Sequence, residues 1–518
     1  MTRIELYDAT LRDGMQGAGL SLTAEEKLRV VHKLDELGVG YIEAGFPSSN
    51  PKEAELFSLL ERETLATAEI AAFGMTRRRD VGADADPGLR VLAESFAPVC
   101  TIVGKTWGLH LDKVVKVGRD ENLAMIEESV AFLAREGKRV IYDAEHFFDA
   151  FRDDERYAIA CVRAAAEGGA ERVVLCDTNG SSLMSQIGMG VLAAVKELGH
   201  RVGIHCHDDA GCGVANTLMA LDAGATHVQG TMNGVGERTG NANLVTIIAN
   251  LQLKMGVEVL PPDRLSKLTE TAHFVDELLN RTPDPRQPYV GKMAFTHKGG
   301  LHAAGVRADP ATFEHVDPAA VGNRGDVLVS ELAGRHSIEE KAEAVGVDVD
   351  PARVLEQVKA LEHAGFQFEA ADASFELLLR RDAGVYEPLF VLESWRVIVE
   401  QHGDNEVNTE ATIKILVDGE RIVRHAEGNG PVNALDAALR RAICEKHPHL
   451  AEIDLVNYKV RILDETKGTG AVTRVLIDAS DGQDVWGTIG VHENVIAASW
   501  QALVDSLAYA EQPSRVRA

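Results

Sequence analysis

The chain is short of positive charge. Its 53 lysines and arginines face 80 aspartates and glutamates, a formal balance of −27 over 518 residues. Nonspecific nucleic-acid binding rests on clustered cations, so that class is excluded. A small anionic substrate would need local positive groups to oppose the field. No apolar run approaches the ~18 residues of a membrane span. The start, "MTRIELYDAT", lacks the apolar core of a secretion signal. Only six cysteines are present (Cys100, Cys161, Cys176, Cys206, Cys212, Cys444), with no C-x-x-C pair. They read as reduced thiols and not as a disulfide framework, and the expected setting is cytoplasmic. Coiled-coil heptads, low-complexity tracts and short repeats beyond a βα period are also missing.

What is there is a rhythm. Short β-rich runs alternate with amphipathic stretches such as "TAEEKLRVVHKLDELG" and "MIEESVAFLAREG", whose apolar residues recur at three- and four-residue spacing. The spacing predicts strands at 4–10, 40–46, 68–74, 99–104, 139–145, 172–178, 202–208 and 226–231. Eight βα units in about 250 residues is the arithmetic of a (β/α)8 TIM barrel, with a doubly wound sheet as the competitor. The barrel is expected over 1–260, helical linker segments over 261–400 and a C-terminal α+β domain over 401–518.

Polar residues collect at the strand tips: Arg12 and Asp13, Glu43, Glu145, Thr178, the histidines of "GIHCHDDAGCG", and Asn233 to Asn241. In a barrel these converge on one mouth. His205 and His207, two apart on a strand, share a face, and Cys206 points away. Asp13 can add a hard oxygen to the two imidazoles, making a mixed site for a divalent ion. The alternative is a polar strand terminus with hydrogen-bonded histidines. Arg12 can face an oxyanion or a carboxylate.

"DATLRDGMQ", the H-x-H-D-D run and "NGVGERTGNAN" (233–243), in that order, resemble the metal-dependent acyl-CoA condensing enzymes. These are the isopropylmalate, homocitrate and citramalate synthases, which share a barrel with hydroxymethylglutaryl-CoA lyase. The resemblance covers residues 4–335, and "GNGPVNALDAALR" (428–440) resembles the family's C-terminal regulatory domain. It implies acetyl-CoA as co-substrate and Mg²⁺, Mn²⁺, Zn²⁺ or Co²⁺ on Asp13, His205 and His207, with Asn241 as an occasional further ligand. It places Arg12 and Gln16 beside the keto oxygen and Thr178 on the keto-acid carboxylate. Glu145 and His302 become the acid–base residues, with His302 delivered by the neighbouring subunit of at least a dimer. Met15 departs from the family's usual glutamate, and Phe313 from its frequent tyrosine.

"YDAEHFFDAF" and "TIVGKTWGLH" resemble the citramalate branch, whose acceptor is pyruvate, and isoleucine is then the expected feedback inhibitor. Tyr142, Phe147 and Phe148 are available to tighten a pocket for so small an acceptor, or simply to pack. A 2-ketoisovalerate-using synthase, a lyase on the same barrel and a non-catalytic binding protein are the alternatives.

Overall fold

The structure, a computed structural model, describes residues 4–47, 49–297, 300–327, 335–403, 407–463, 468 and 470–512. It forms two compact units, Met1–Phe295 with His315–Gly325, and Thr296–Glu314 with Asp326–Ala518.

In the first unit β1 (Glu5–Asp8), β2 (Tyr41–Gly45), β3 (Glu69–Met75) and β4 (Val99–Lys105) run into β5 (Arg139–Glu145), β6 (Arg172–Asp177), β7 (Val202–Cys206) and β8 (His227–Gly230). They close into a parallel barrel in that order, with β1 pairing β8 from Glu5 opposite His227 to Asp8 opposite Gly230. The helices between them, from Ala24–Leu37 to Gly213–Asp222, with Leu244–Leu253 after β8, complete the TIM barrel. Alternation along the strands sorts the side chains into two layers. Tyr7, Ala71, Val99, Ile141, Val174 and Cys176 fill the inside. Leu6, Ile42, Val140, Leu175 and Ile204 face out against helix residues such as Val30, Leu34, Ile126 and Ile187.

Local chemistry fixes the ends. Thr23 and Glu26 make a reciprocal capping box at the start of Ala24–Leu37, and Gly38 ends it at φ +96°, where a Cβ would also lie 2.3 Å from Pro261. The Asp35 carboxylate then accepts from the amides of Ala66, Thr67 and Ala68, each at 2.8 Å, and aims the chain into β3. At the start of the strands Arg172 grips Glu5 through Nε at 2.8 Å and Nη2 at 2.7 Å, and His227 Nδ1 lies 3.3 Å away. Burial alone would raise the Glu5 carboxyl, but His227 and Arg172 outweigh it and hold it down at about 2.

The first unit runs on past residue 260. Helix Leu268–Leu278 and the turn before it are tied to helix Ala24–Leu37 by the pairs Lys33–Glu270 and Lys267–Glu36.

The second unit begins with the short parallel pair β9 (Thr296–His297) and β10 (Asp326–Val327) and the helices Gly300–Ala308, Arg335–Val345, Pro351–His363 and Asp372–Asp382. The expected β-rich segment starts earlier than residue 401. β11 (Val391–Gln401), β12 (Val407–Val417) and β13 (Glu420–Gly428) form one antiparallel sheet, followed by helix Pro431–Ile443. β14 (Asp454–Ile462), β15 (Thr473–Ser480) and β16 (Val485–His492) form another, followed by helix Val495–Ala510. Three strands and a helix are therefore used twice, although the sequence displays no repeat. The likeness lies in alternation, not in identity: Ala411, Ile413, Ile415 and Val417 are buried in one central strand, Val475, Ile477 and Ala479 in the other.

Candidate active site

β1 ends in a tight turn. The Ala9 carbonyl accepts from the amides of Arg12, Asp13 and Gly14 at 3.2, 2.9 and 3.0 Å, which turns Arg12 and Asp13 into the barrel mouth. Asp13 Oδ2 lies 3.3 Å from His205 Nε2 and 3.7 Å from His207 Nε2, and the two Nε2 atoms are 3.4 Å apart. Donor atoms held at about 2.1 Å from one ion in tetrahedral or octahedral array sit roughly 3.0–3.4 Å from each other. The triangle is therefore near the size a divalent ion requires. Asp13 Oδ2 is buried and accepts no hydrogen bond. Burial opposes ionisation of Asp13, but the adjacent Arg12 charge holds its carboxyl well below the usual range.

A support chain stands behind His205. Its Nδ1 lies 2.9 Å from Gln229 Oε1, and Gln229 Nε2 donates to Asp143 Oδ1 at 3.1 Å. A proton on Nδ1 leaves Nε2 as the bare donor facing Asp13, the way a metal-binding histidine is oriented. Burial, with the nearby Glu43 charge, pushes the Asp143 carboxyl up to about 7. Asn241 bridges to His207 through the backbone. Its side-chain Nδ2 donates to the Val235 carbonyl at 3.2 Å, while Oδ1 is buried without a partner.

Arg12 is fixed on three sides. Nε donates to Glu43 Oε2 at 2.7 Å, Nη1 to Asp13 Oδ1 at 2.9 Å, and the guanidinium carbon stands 3.9 Å above the Phe73 ring. Glu43 is fully buried and takes a second bond from the Tyr7 hydroxyl at 2.8 Å, which also pairs with Thr101 Oγ1 at 2.7 Å.

Glu145, at the tip of β5, is ion-paired with Lys105 at the tip of β4. Thr178 Oγ1 accepts from the His146 amide at 2.9 Å, which leaves the hydroxyl proton free to donate. Gln16 is exposed beside the mouth, and Met15 packs half-buried on the core. Tyr142 corrects an expectation. With period two, the neighbours of Ile141 face outward, and Tyr142, Phe147 and Phe148 all sit buried in the core between barrel and helices. They pack and do not line the mouth. Cys206 faces outward as expected.

His302 belongs to the second unit, exposed on helix Gly300–Ala308, its ring stacked on Phe313 with centroids 4.2 Å apart. Lys298 and Gly299 of its Gly-rich approach lie outside the described residues.

Sequence reasoning gave no role to Asp143, Gln229 or Lys105, and placed Glu43 at a tip without a partner. The signal for Asp143 was present, since it shares a strand face with Glu145 two residues on.

Comparison with known proteins follows the same division. Residues 3–275 match the HMGL-like family, 289–367 the homocitrate synthase post-HMGL domain-like family, and 369–511 the LeuA allosteric (dimerisation) domain. The chain is 50% identical over 511 residues to an (R)-citramalate synthase of Streptomyces coelicolor, covering 97% of this chain and 96% of that one. It is 46% identical to one of Aquifex aeolicus, covering 98% and 97%. To a probable 2-isopropylmalate synthase of Methanopyrus kandleri it is 32% identical, covering 97% of each.

Proposed function

Because the chain belongs to the (R)-citramalate synthase family, with an HMGL-like barrel and a LeuA allosteric domain, we propose the corresponding reaction for its barrel mouth. Acetyl-CoA, pyruvate and water give (R)-citramalate and CoA, the acetyl methyl carbon forming the new bond.

The observation that carries this reading is the buried triangle of Asp13, His205 and His207 beside the clamped Arg12. The donor set fits a divalent ion of the Mg²⁺, Mn²⁺, Zn²⁺ or Co²⁺ kind, with the unpartnered Asn241 Oδ1 as a reserve oxygen. Such an ion supplies Lewis acidity to a keto-acid carbonyl. The residues do the rest. Arg12 donates to the keto oxygen as it gains charge, held in place by Glu43 and Phe73. The Thr178 hydroxyl donates to the keto-acid carboxylate, and Gln16 adds a polar group at the rim. Glu145, ion-paired with Lys105, takes the methyl proton, and His302 arrives from a second subunit to complete proton transfer. The LeuA-type domain supports a homodimer and an amino-acid effector, and the pyruvate acceptor makes isoleucine the matching end product.

CoA release with pyruvate, with 2-ketoisovalerate and without acceptor tests the reading. Release with pyruvate alone supports it. A preference for 2-ketoisovalerate replaces it with an isopropylmalate synthase, and cleavage of an acyl-CoA without acceptor makes the barrel a lyase.

A further inference from the structure

Beside the Asp13 triangle the mouth holds a second group of ligating side chains. One ring nitrogen of His110, one of His146 and a Glu145 carboxylate oxygen all lie within 4.8 Å of one another. Nothing in the proposed condensation uses the two histidines.

His146 is built in with care. It follows Glu145 directly and holds φ 57°, ψ 33°, the left-handed region that strains a non-glycine residue. Its amide is the one that fixes Thr178. The residue is 7% exposed, and Nδ1 lies 3.0 Å from Asp149 Oδ2. Asp149 in turn accepts from Arg152 Nη2 at 2.5 Å and from Asn179 Nδ2 at 2.9 Å. An anion so anchored holds the proton on Nδ1 and leaves Nε2 as a bare acceptor, the logic of a histidine–aspartate pair. The rings of Trp107 and His110 wall the other sides, with centroids 5.6 and 4.3 Å from His146. Burial, with the neighbouring His146, pushes the His110 pKa down and so disfavours a competing charge there. Glu145 keeps 22% of its side chain exposed, so water reaches the cluster.

The overall reaction needs two separate base-assisted events, removal of a methyl proton and hydrolysis of the thioester. Glu145, paired with Lys105, is committed to the first. We propose that His146, oriented by Asp149, is the base that activates water for thioester hydrolysis, an inference resting on the condensation reading above. The imidazole takes one proton from water, and the hydroxide oxygen bonds to the thioester carbonyl carbon. The carbon–sulfur bond then breaks, and the CoA thiolate recovers the proton from the imidazolium. One water is consumed, and a carboxylic acid and a free thiol are formed.

The experiment uses the full-length, metal-loaded enzyme and rapid-quench mass spectrometry with acetyl-CoA and pyruvate. His146→Gly suits the left-handed backbone and spares the amide that fixes Thr178, while removing the ring. Asp149→Asn keeps the shape of the pair and removes its charge. The wild type releases CoA and citramalate together. Both variants are expected to form citramalyl-CoA on the enzyme, with release slowed about 10²- to 10⁴-fold for the glycine variant, the usual worth of a general base. Supplied citramalyl-CoA should be hydrolysed by the wild type and not by His146→Gly. Wild-type release rates in His146→Gly overturn the proposal. So does loss of condensation and hydrolysis together in both variants with fold retained, which would make the pair structural. Two divalent ions per wild-type chain, falling to one in His146→Gly, overturn it too and make the cluster a cation site. A wild type that makes no citramalate would instead refute the condensation reading, while its action on supplied citramalyl-CoA still tests His146.

Discussion

Arg12→Lys keeps the charge and the length but removes the fork, and this separates field from geometry. The guanidinium reaches Glu43 and Asp13 at once, at 2.7 and 2.9 Å, while lying over Phe73. An ammonium on a flexible stem can satisfy one of the two carboxylates fully and cannot also present a planar donor to substrate. Losing one charge-assisted bond costs about 1.5–3 kcal/mol, partly recovered by rotation of the ammonium. Stability should therefore fall by ~1–2 kcal/mol, well short of unfolding a chain with this core. The keto-oxygen donor is a separate loss, worth about 10²- to 10³-fold in kcat when such a donor is removed. The expected pattern is a kcat down by about that factor, with KM for pyruvate changed much less and metal content unchanged. Steady-state kinetics, urea titration and metal analysis on one preparation read all three. A kcat within about three-fold of wild type would refute the role given to Arg12. A defect confined to KM would reassign it to ground-state binding.

Chelator treatment should abolish condensation, and added divalent ion should restore it. His207→Ala should stay inactive at metal concentrations that saturate the wild type while keeping a wild-type circular dichroism spectrum. Glu5 tests the base of the barrel. Its carboxyl is held at about 2 against an ordinary 4.5, so the stabilisation is present above pH ~4.5 and fades as pH falls toward 2. Discounted for its partial exposure to solvent, Glu5→Gln should cost about 1–2 kcal/mol in urea titrations at pH 7 and almost nothing at pH 2. An equal loss at both would show that packing, not charge, is the cause. For the C-terminal domain, millimolar isoleucine should inhibit the full-length enzyme at subsaturating acetyl-CoA and leucine should not. The reverse would overturn the effector assignment.

The barrel was legible because its strands announce themselves by β-rich runs and, at most of them, by a polar residue where the run stops. β5 lies at residues 139–145, as the spacing predicts, and each of the other barrel strands lies within two residues of its expected bounds. Asp13, His205 and His207 meet because a closed barrel brings every tip to one place. Gln229 and Asp143 stayed hidden, since β5 and β8 are not neighbours and their bond crosses the inside of the barrel. No local pattern encodes such a pairing. Tyr142 misled because an aromatic near a catalytic carboxylate looks like a pocket wall until its strand face is known. Helix Val495–Ala510 was not foreseen because apolar residues surround it, which blurs the 3.6-residue period.

Closure of the barrel also sets a timetable for synthesis. Glu5 waits for His227, a partner 222 residues further along the chain. At ~5–20 residues per second a ribosome needs roughly 10–45 s to make that stretch. Throughout it, β1 has an unpaired edge where β8 belongs, and for most of it Asp13 has neither of its imidazoles. The turn from Ala9 to Gly14 and the capped helix after it can form at once, since their bonds are local. Metal capture cannot, because the chain must first emerge past His207. The ion centre is thus among the last features of the catalytic unit to form: a nascent chain stalled before β7 would show an open edge and lack both imidazoles of the metal site.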